Sequence, residues 1–128
     1  MTYYHAKTTP LPFDAAVARA RETLQAEGFG IITEVDIAAT LKAKIDVDFR
    51  PYIILGACNP RAAHEALGHE DKVGLMLPCN VIVQAIPTGG CEVAAIDPVA
   101  SMTAIDNPGL KAKAEEIGAS LKRAIDAI

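Results

Sequence analysis

A chain of 128 residues, 51% apolar and 22% charged, has the composition of one globular domain rather than of a disordered segment. A net charge of −4, with no cluster of Lys and Arg, excludes a protein that holds nucleic acid through a basic face. With no Trp and 5% aromatic residues the core has to be aliphatic, and three cysteines behind an N-terminus without an export signal do not suggest a disulfide framework.

In chain order, "TYYHAKT" (2–8) alternates Tyr3, His5 and Lys7 against Tyr4 and Ala6, which predicts a strand. "LPFDAAVARARETLQAEG" follows as a helix, with Phe13, Val17, Ala20 and Leu24 at helical spacing and Gly28 as the stop. "FGIITEV" (29–35) is a strand, and Asp36 can cap a short helix carrying Leu41 and Ile45. Pro51 opens the strand "YIILGAC". Asn59-Pro60 then reads as a helix start, an Asx cap with proline at the first helical position, and "PRAAHEAL" ends at Gly68. "HEDKVGLMLP" carries no periodicity and is expected to be irregular.

Two strands, "CNVIVQAI" and "CEVAAI", are joined by "PTGG", a hairpin signal. Asp97-Pro98 and Asn107-Pro108 repeat the cap-then-proline pattern. The second opens a long C-terminal helix with Leu110, Ala114, Ile117, Leu121, Ile125 and Ile128 in steps of three and four. The uncharged run "VGLMLPCNVIVQAIPTGGC" is long enough to span a membrane, but Pro78, Asn80, Gln84, Pro87 and Gly89-Gly90 break it. No membrane association and a cytoplasmic location are expected.

The order is β-α-β-α-β-α-β-β-α-α in one domain over residues 1–128. It predicts an α+β fold, a single layer of mixed, largely antiparallel sheet packed against helices. A sheet of five strands with little aromatic bulk leaves surface to cover. A homodimer, through the sheet or the C-terminal helix stripe, is the expected partner.

Two Cys-Asn pairs stand at element junctions. Cys58 ends a strand just before a helix cap, where amide dipoles favour a thiolate for redox chemistry or a soft metal. Cys79 enters the next strand on the face of Val81 and Val83, as a core residue would. If the strand ends are adjacent, Cys58, Asn59, Cys79 and Asn80 can line one cleft for a small molecule or soft metal. No closely spaced zinc-ligand pairs are present. His5, His64 and His69 read as solvated, and Cys91 as structural. Met76 and Met102 can serve as thioether ligands of Cu(I), or simply as core fillers. Glu34 and Asp36 share a strand face and could do acid–base chemistry, although Asp36 is already needed as a cap. No nucleophile triad, phosphate loop or dinucleotide fingerprint is present, so neither an enzymatic activity nor a cofactor is assigned.

The blocks "GFGIITEVDIAATLKAKI", "YIILGACNPRAAHEAL", "GLMLPCNVIV" and "AIDPVASM" follow one another as in the domain-of-unknown-function family 302, which the chain resembles over nearly its whole length. The resemblance implies a compact α+β domain, dimeric, with no activity attached. It also implies that the two Cys-Asn junctions belong together. The function expected from the sequence is therefore small-molecule or soft-metal binding, with thiol-redox chemistry as a variant of it, in a cleft near those junctions. The alternative is a homodimeric interaction module with no chemistry of its own.

Overall fold

In the computed structural model, which describes residues 2–128, five strands form one wholly antiparallel sheet. They are β1 (Tyr4–Thr9), β2 (Gly30–Asp36), β3 (Tyr52–Cys58), β4 (Cys79–Ala85) and β5 (Cys91–Ile96), in the spatial order β1-β5-β4-β3-β2. The helices are α1 (Phe13–Ala26), α2 (Ile37–Ile45), α3 (Pro60–His69), α4 (Pro98–Ser101) and α5 (Pro108–Asp126). The element order and the α+β class agree with the sequence. No parallel pair occurs: the α2 and α3 connections each return the chain antiparallel to the strand before, β4–β5 is a hairpin, and α1 carries the chain from one edge strand, β1, to the other, β2.

All four Asx residues expected to cap helices do so. Asp36 accepts from the Ala39 amide, Asn59 from Ala62, Asp97 from Val99 and Asn107 from Leu110. Each satisfies an amide that the first helical turn leaves without a partner, and three are followed by proline, which has no amide to satisfy. The stretch expected to be irregular instead holds a 3-10 turn, Asp71–Met76, entered from Glu70 and burying Val73. It leads through a cis Leu77–Pro78 bond into β4.

Strand alternation divides the sheet into two faces. On one face the rows Ile53–Val83–Val93 and Leu55–Val81–Ala95 run across β3, β4 and β5, all buried, and α1 and α5 lie on them with Ala16, Ala20, Leu24, Leu121, Ala124 and Ile125. The stripe on α5 is therefore consumed in the chain's own core and is not left for a partner. Small Ala side chains on both helices let them approach the β-branched rows closely, so an aliphatic core closes without aromatic bulk. The first half of α5 packs with α3, α4 and the 3-10 turn in a second cluster built on Ala66, Val73, Met102, Leu110 and Ala114. No helix among the described residues is long and apolar enough to cross a membrane.

Candidate functional site

Two hollows contain three of the four residues singled out by the sequence, Asn59, Cys79 and Asn80; Cys58 lines neither. The first lies between α3, α5 and the start of β4, with Asn59, Ala62, Cys79, Met102 and Lys113 on its wall. Asn59 is held there by its capping bond to Ala62, and Cys79 sits opposite Ala57, one residue from the end of β3. The volume is only about 40 Å³. That admits a water or two and falls an order of magnitude below a metabolite site of roughly 300–1,000 Å³. Lys113 is further clamped by Glu65 at 2.6 Å and Glu116 at 3.2 Å, which raises the ammonium and lowers the Glu65 carboxyl from their ordinary values.

Burial pushes the Cys79 thiol up to about 11, with the nearby Cys58 adding to the effect. Burial also raises Cys91. A thiol so placed stays protonated at neutral pH and is a poor nucleophile. Cys58 follows Ala57 along β3, so its side chain alternates away from that of Cys79, and all three cysteines are free thiols. Among the described residues no three His, Cys, Asp or Glu side chains gather as a metal-binding set. Met102 is packed in the second core cluster, whereas Met76 is exposed. Asn59 and Cys79 thus share one small cavity, and Asn80 goes to the opposite side of the sheet.

That side is the second face, and its hollow is much larger, about 420 Å³. It is lined by strand residues, by Tyr3 just before β1 and by Arg50 of the α2–β3 connection, with no helix residue on its wall. Three rows make up this face, and the hollow draws its wall from parts of each. Tyr52, Gln84, Glu92 and Thr8 stand side by side on β3, β4, β5 and β1. Next to them Ile54, Ile82, Ala94 and Ala6 form an apolar row. The third row places Gly56 beside Asn80, with Tyr4 beside Ile96 further along. Gly56 is tightly held: a Cβ there would collide with Thr33 and Pro78, so this corner of the face accepts no larger residue.

The polar row is wired together. The Arg50 Nε donates to Gln84 Oε1 at 2.9 Å, and Gln84 Nε2 donates to Glu92 Oε1 at 3.0 Å. The Arg50 guanidinium lies 4.4 Å from the Phe49 ring centroid and 5.6 Å from that of Tyr52, within cation–π range. Tyr3 and Tyr4, edge to face at 5.1 Å, stand on the far rim.

Residues 5–128 match the sequence model of a family described as "Domain of unknown function DUF302". The chain belongs to the DUF302 family. The crystal structure of an uncharacterized conserved DUF302 protein from Bacillus stearothermophilus is similar to this DUF302 chain at 26% identity and a TM-score of 0.92. The match covers 99% of this chain and 98% of that one. No curated protein shows significant similarity to it.

The remaining sequence candidates are engaged structurally. Glu34 is paired with Arg21 of α1 at 2.6 Å, and Asp36 caps α2, so the two carboxylates do not act as a pair. His69 ends α3, and its ring fills the space beside Gly109 at the start of α5. Of the four cleft candidates only Asn80 lines the large hollow. Sequence reasoning missed Arg50, Tyr52, Gln84 and Glu92. The available signal was the alternation itself: Tyr52, Asn80, Gln84 and Glu92 all fall in one phase of their strands, while the other phase of those strands holds only aliphatic residues and two cysteines.

Proposed function

We propose that this DUF302 chain is a small-molecule binding domain whose site is the bowl on the open sheet face. One contrast supports the reading: the bowl, at about 420 Å³, has ligand dimensions, and the cavity at Asn59 and Cys79, at about 40 Å³, has not. The bowl also has the make-up of a binding site, an apolar floor with a few fixed polar groups at one edge. Asn80 contributes an amide to it, and the cysteines contribute no chemistry. A fragment screen followed by ¹H–¹⁵N NMR tests this. Shifts should concentrate at Asn80, Ile82, Gln84 and Ala94; shifts around Asn59 and Cys79, or none at all, would sink it.

A second reading, a homodimeric interaction module, is favoured by the surface area. The chain exposes 7397 Å². A folded monomer of its 13.5 kDa should expose about 6,500 Å². The excess of about 900 Å² is close to the ~800 Å² that one partner covers in a standard interface. Tyr3, Tyr4, Val35, Val47 and Phe49 are exposed, and Tyr4 and Val35 extend the rows of the open face, so a second copy would be seated there. Sedimentation of the native chain and of Ile82→Glu decides this. A dimer that the substitution converts to monomer supports the reading, and a native monomer at every concentration removes it.

A further inference from the structure

We propose that the bowl selects an aromatic carboxylate, with Arg50 as the anchor for the carboxylate group. This deepens the small-molecule reading above and rests on it. Three observations lead to that ligand class. First, Arg50 makes no ion pair among the described residues, although the chain has more acidic than basic side chains. An unpaired cation beside an apolar floor is a standing attraction for an anion.

Second, the guanidinium is oriented before any ligand arrives. Its Nε is occupied by Gln84, and its Cζ is held over the Phe49 and Tyr52 rings. Gln84 cannot turn its amide over without losing both neighbours, since its oxygen faces Arg50 and its nitrogen faces Glu92. The Nη1/Nη2 edge is then the fork that remains, and its two parallel N–H groups match the two oxygens of a carboxylate. A ligand that meets this pre-set fork loses less freedom than one that must order a mobile arginine.

Third, the body of the ligand meets Ile82 and Ala94 on the floor and the tyrosine rings on the rim. A flat ring fits that combination, with its faces against aliphatic side chains and its edge towards Tyr4 or Tyr52. Glu92 does not turn the site into a cation trap, because Gln84 occupies one of its oxygens and Arg50 stands at the other end of the same relay.

The test uses three probes with one ring and one chain length but different charge: phenylacetate, phenylacetamide and phenethylamine. Each is titrated into the folded protein and followed by ¹H–¹⁵N NMR at Asn80, Ile82, Gln84 and Ala94. Phenylacetate should bind about ten-fold or more tightly than its amide, the difference expected from a charge-assisted fork. In Arg50→Gln the acid and the amide should become equal, with the rest of the spectrum unmoved, since Arg50 is exposed and its loss does not disturb the core. If the amide or the amine shifts the bowl residues as strongly as the acid does, the carboxylate assignment is overturned and the bowl still stands as a binding site. If none of the three probes shifts those residues, both the ligand class and the small-molecule reading fall.

Discussion

The two faces of the sheet are made by the same strands and differ in almost every physical respect. On the covered face, β3, β4 and β5 present two unbroken aliphatic rows, and α1 and α5 seal them with alanines and leucines. On the open face a single apolar row, Ile54–Ile82–Ala94, is flanked by residues that hydrogen-bond, stack or carry charge. The folding free energy is therefore concentrated on one side, and the exposed polar and aromatic groups proposed to bind a ligand stand on the other. A sheet with one sealed face can keep such a surface exposed without losing its fold.

The largest expected effect sets one face against the other directly. Leu55 is fully buried in the covered face. Leu55→Ala removes packed atoms from a site that helices hold rigid, and should cost about 2–5 kcal/mol in denaturant unfolding. Ile82→Ala, on the half-buried open row, should cost about 1 kcal/mol or less. Measured at low protein concentration, so that a second copy adds nothing, equal losses at the two positions would erase the distinction between the faces.

The contrast also explains what could be read from one sequence. Helix starts are local: an Asx residue, usually followed by proline, announces the cap within four residues, and Asp36, Asn59, Asp97 and Asn107 all behave accordingly. Element order and class follow from those starts and from the hairpin at "PTGG". Strand order is not local. Nothing in the spacing of Tyr4, Tyr52, Gln84 and Glu92 says that β1 closes onto β5 and β3 onto β4, and the bowl exists only because they do. The Cys-Asn pairs drew attention because they repeat, yet alternation separates Cys79 from Asn80 as surely as it separates the two faces. Arg50 was silent for a similar reason. It stands in an unperiodic connection, and its role comes from Gln84, more than thirty positions away in the chain.

The thiols sharpen the comparison further. Cys79 and Cys91 face the covered side, and both are raised by burial, Cys79 to about 11. A group whose folded value lies above its unfolded one contributes no penalty at neutral pH. As pH rises past the ordinary thiol value the unfolded chain ionises first, and stability falls until the folded value is passed. For Cys79 that loss is on the order of 2 kcal/mol between roughly pH 9 and pH 11. Unfolding curves across that range should show the decline, and Cys79→Ala should lessen it. In alkylation followed by mass, the half-buried Cys58 should react before the other two. A flat profile, or Cys79 reacting first, would mean that the covered face admits solvent.

The smallest effect lies at the rim of that face, where β1 meets the end of α5. His5 and Lys7 continue the two aliphatic rows outward, opposite Ala95 and Val93, but the strand there has no third helix to cover it. Its side chains reach instead for the last turn of α5. His5 Nε2 lies 2.7 Å from Asp126 Oδ1, and Lys7 donates to the carbonyls of Asp126 and Ile128 at 2.9 and 2.6 Å. A cation at a helix C-terminus satisfies carbonyls that have no amide partner and opposes the negative end of the dipole. The bond from His5, helped by the charges of His5, Lys122 and Lys7 and opposed by burial, leaves the Asp126 carboxyl below its usual range. Because the folded value is the lower one, this pair's stabilisation is complete above the ordinary carboxylate value and is lost as pH falls through the folded one. The pair is exposed and screened, so the change in Tm should be slight and should shrink further with salt. Asp126→Asn should lower Tm a little at pH 6 and progressively less as the solution is acidified through the carboxylate range, while hydrogen exchange in β1 quickens relative to β4. Equal exchange in the two strands would show that the edge is held by its ladder to β5 alone, and that the polar fastening at the rim adds nothing to the sealed face.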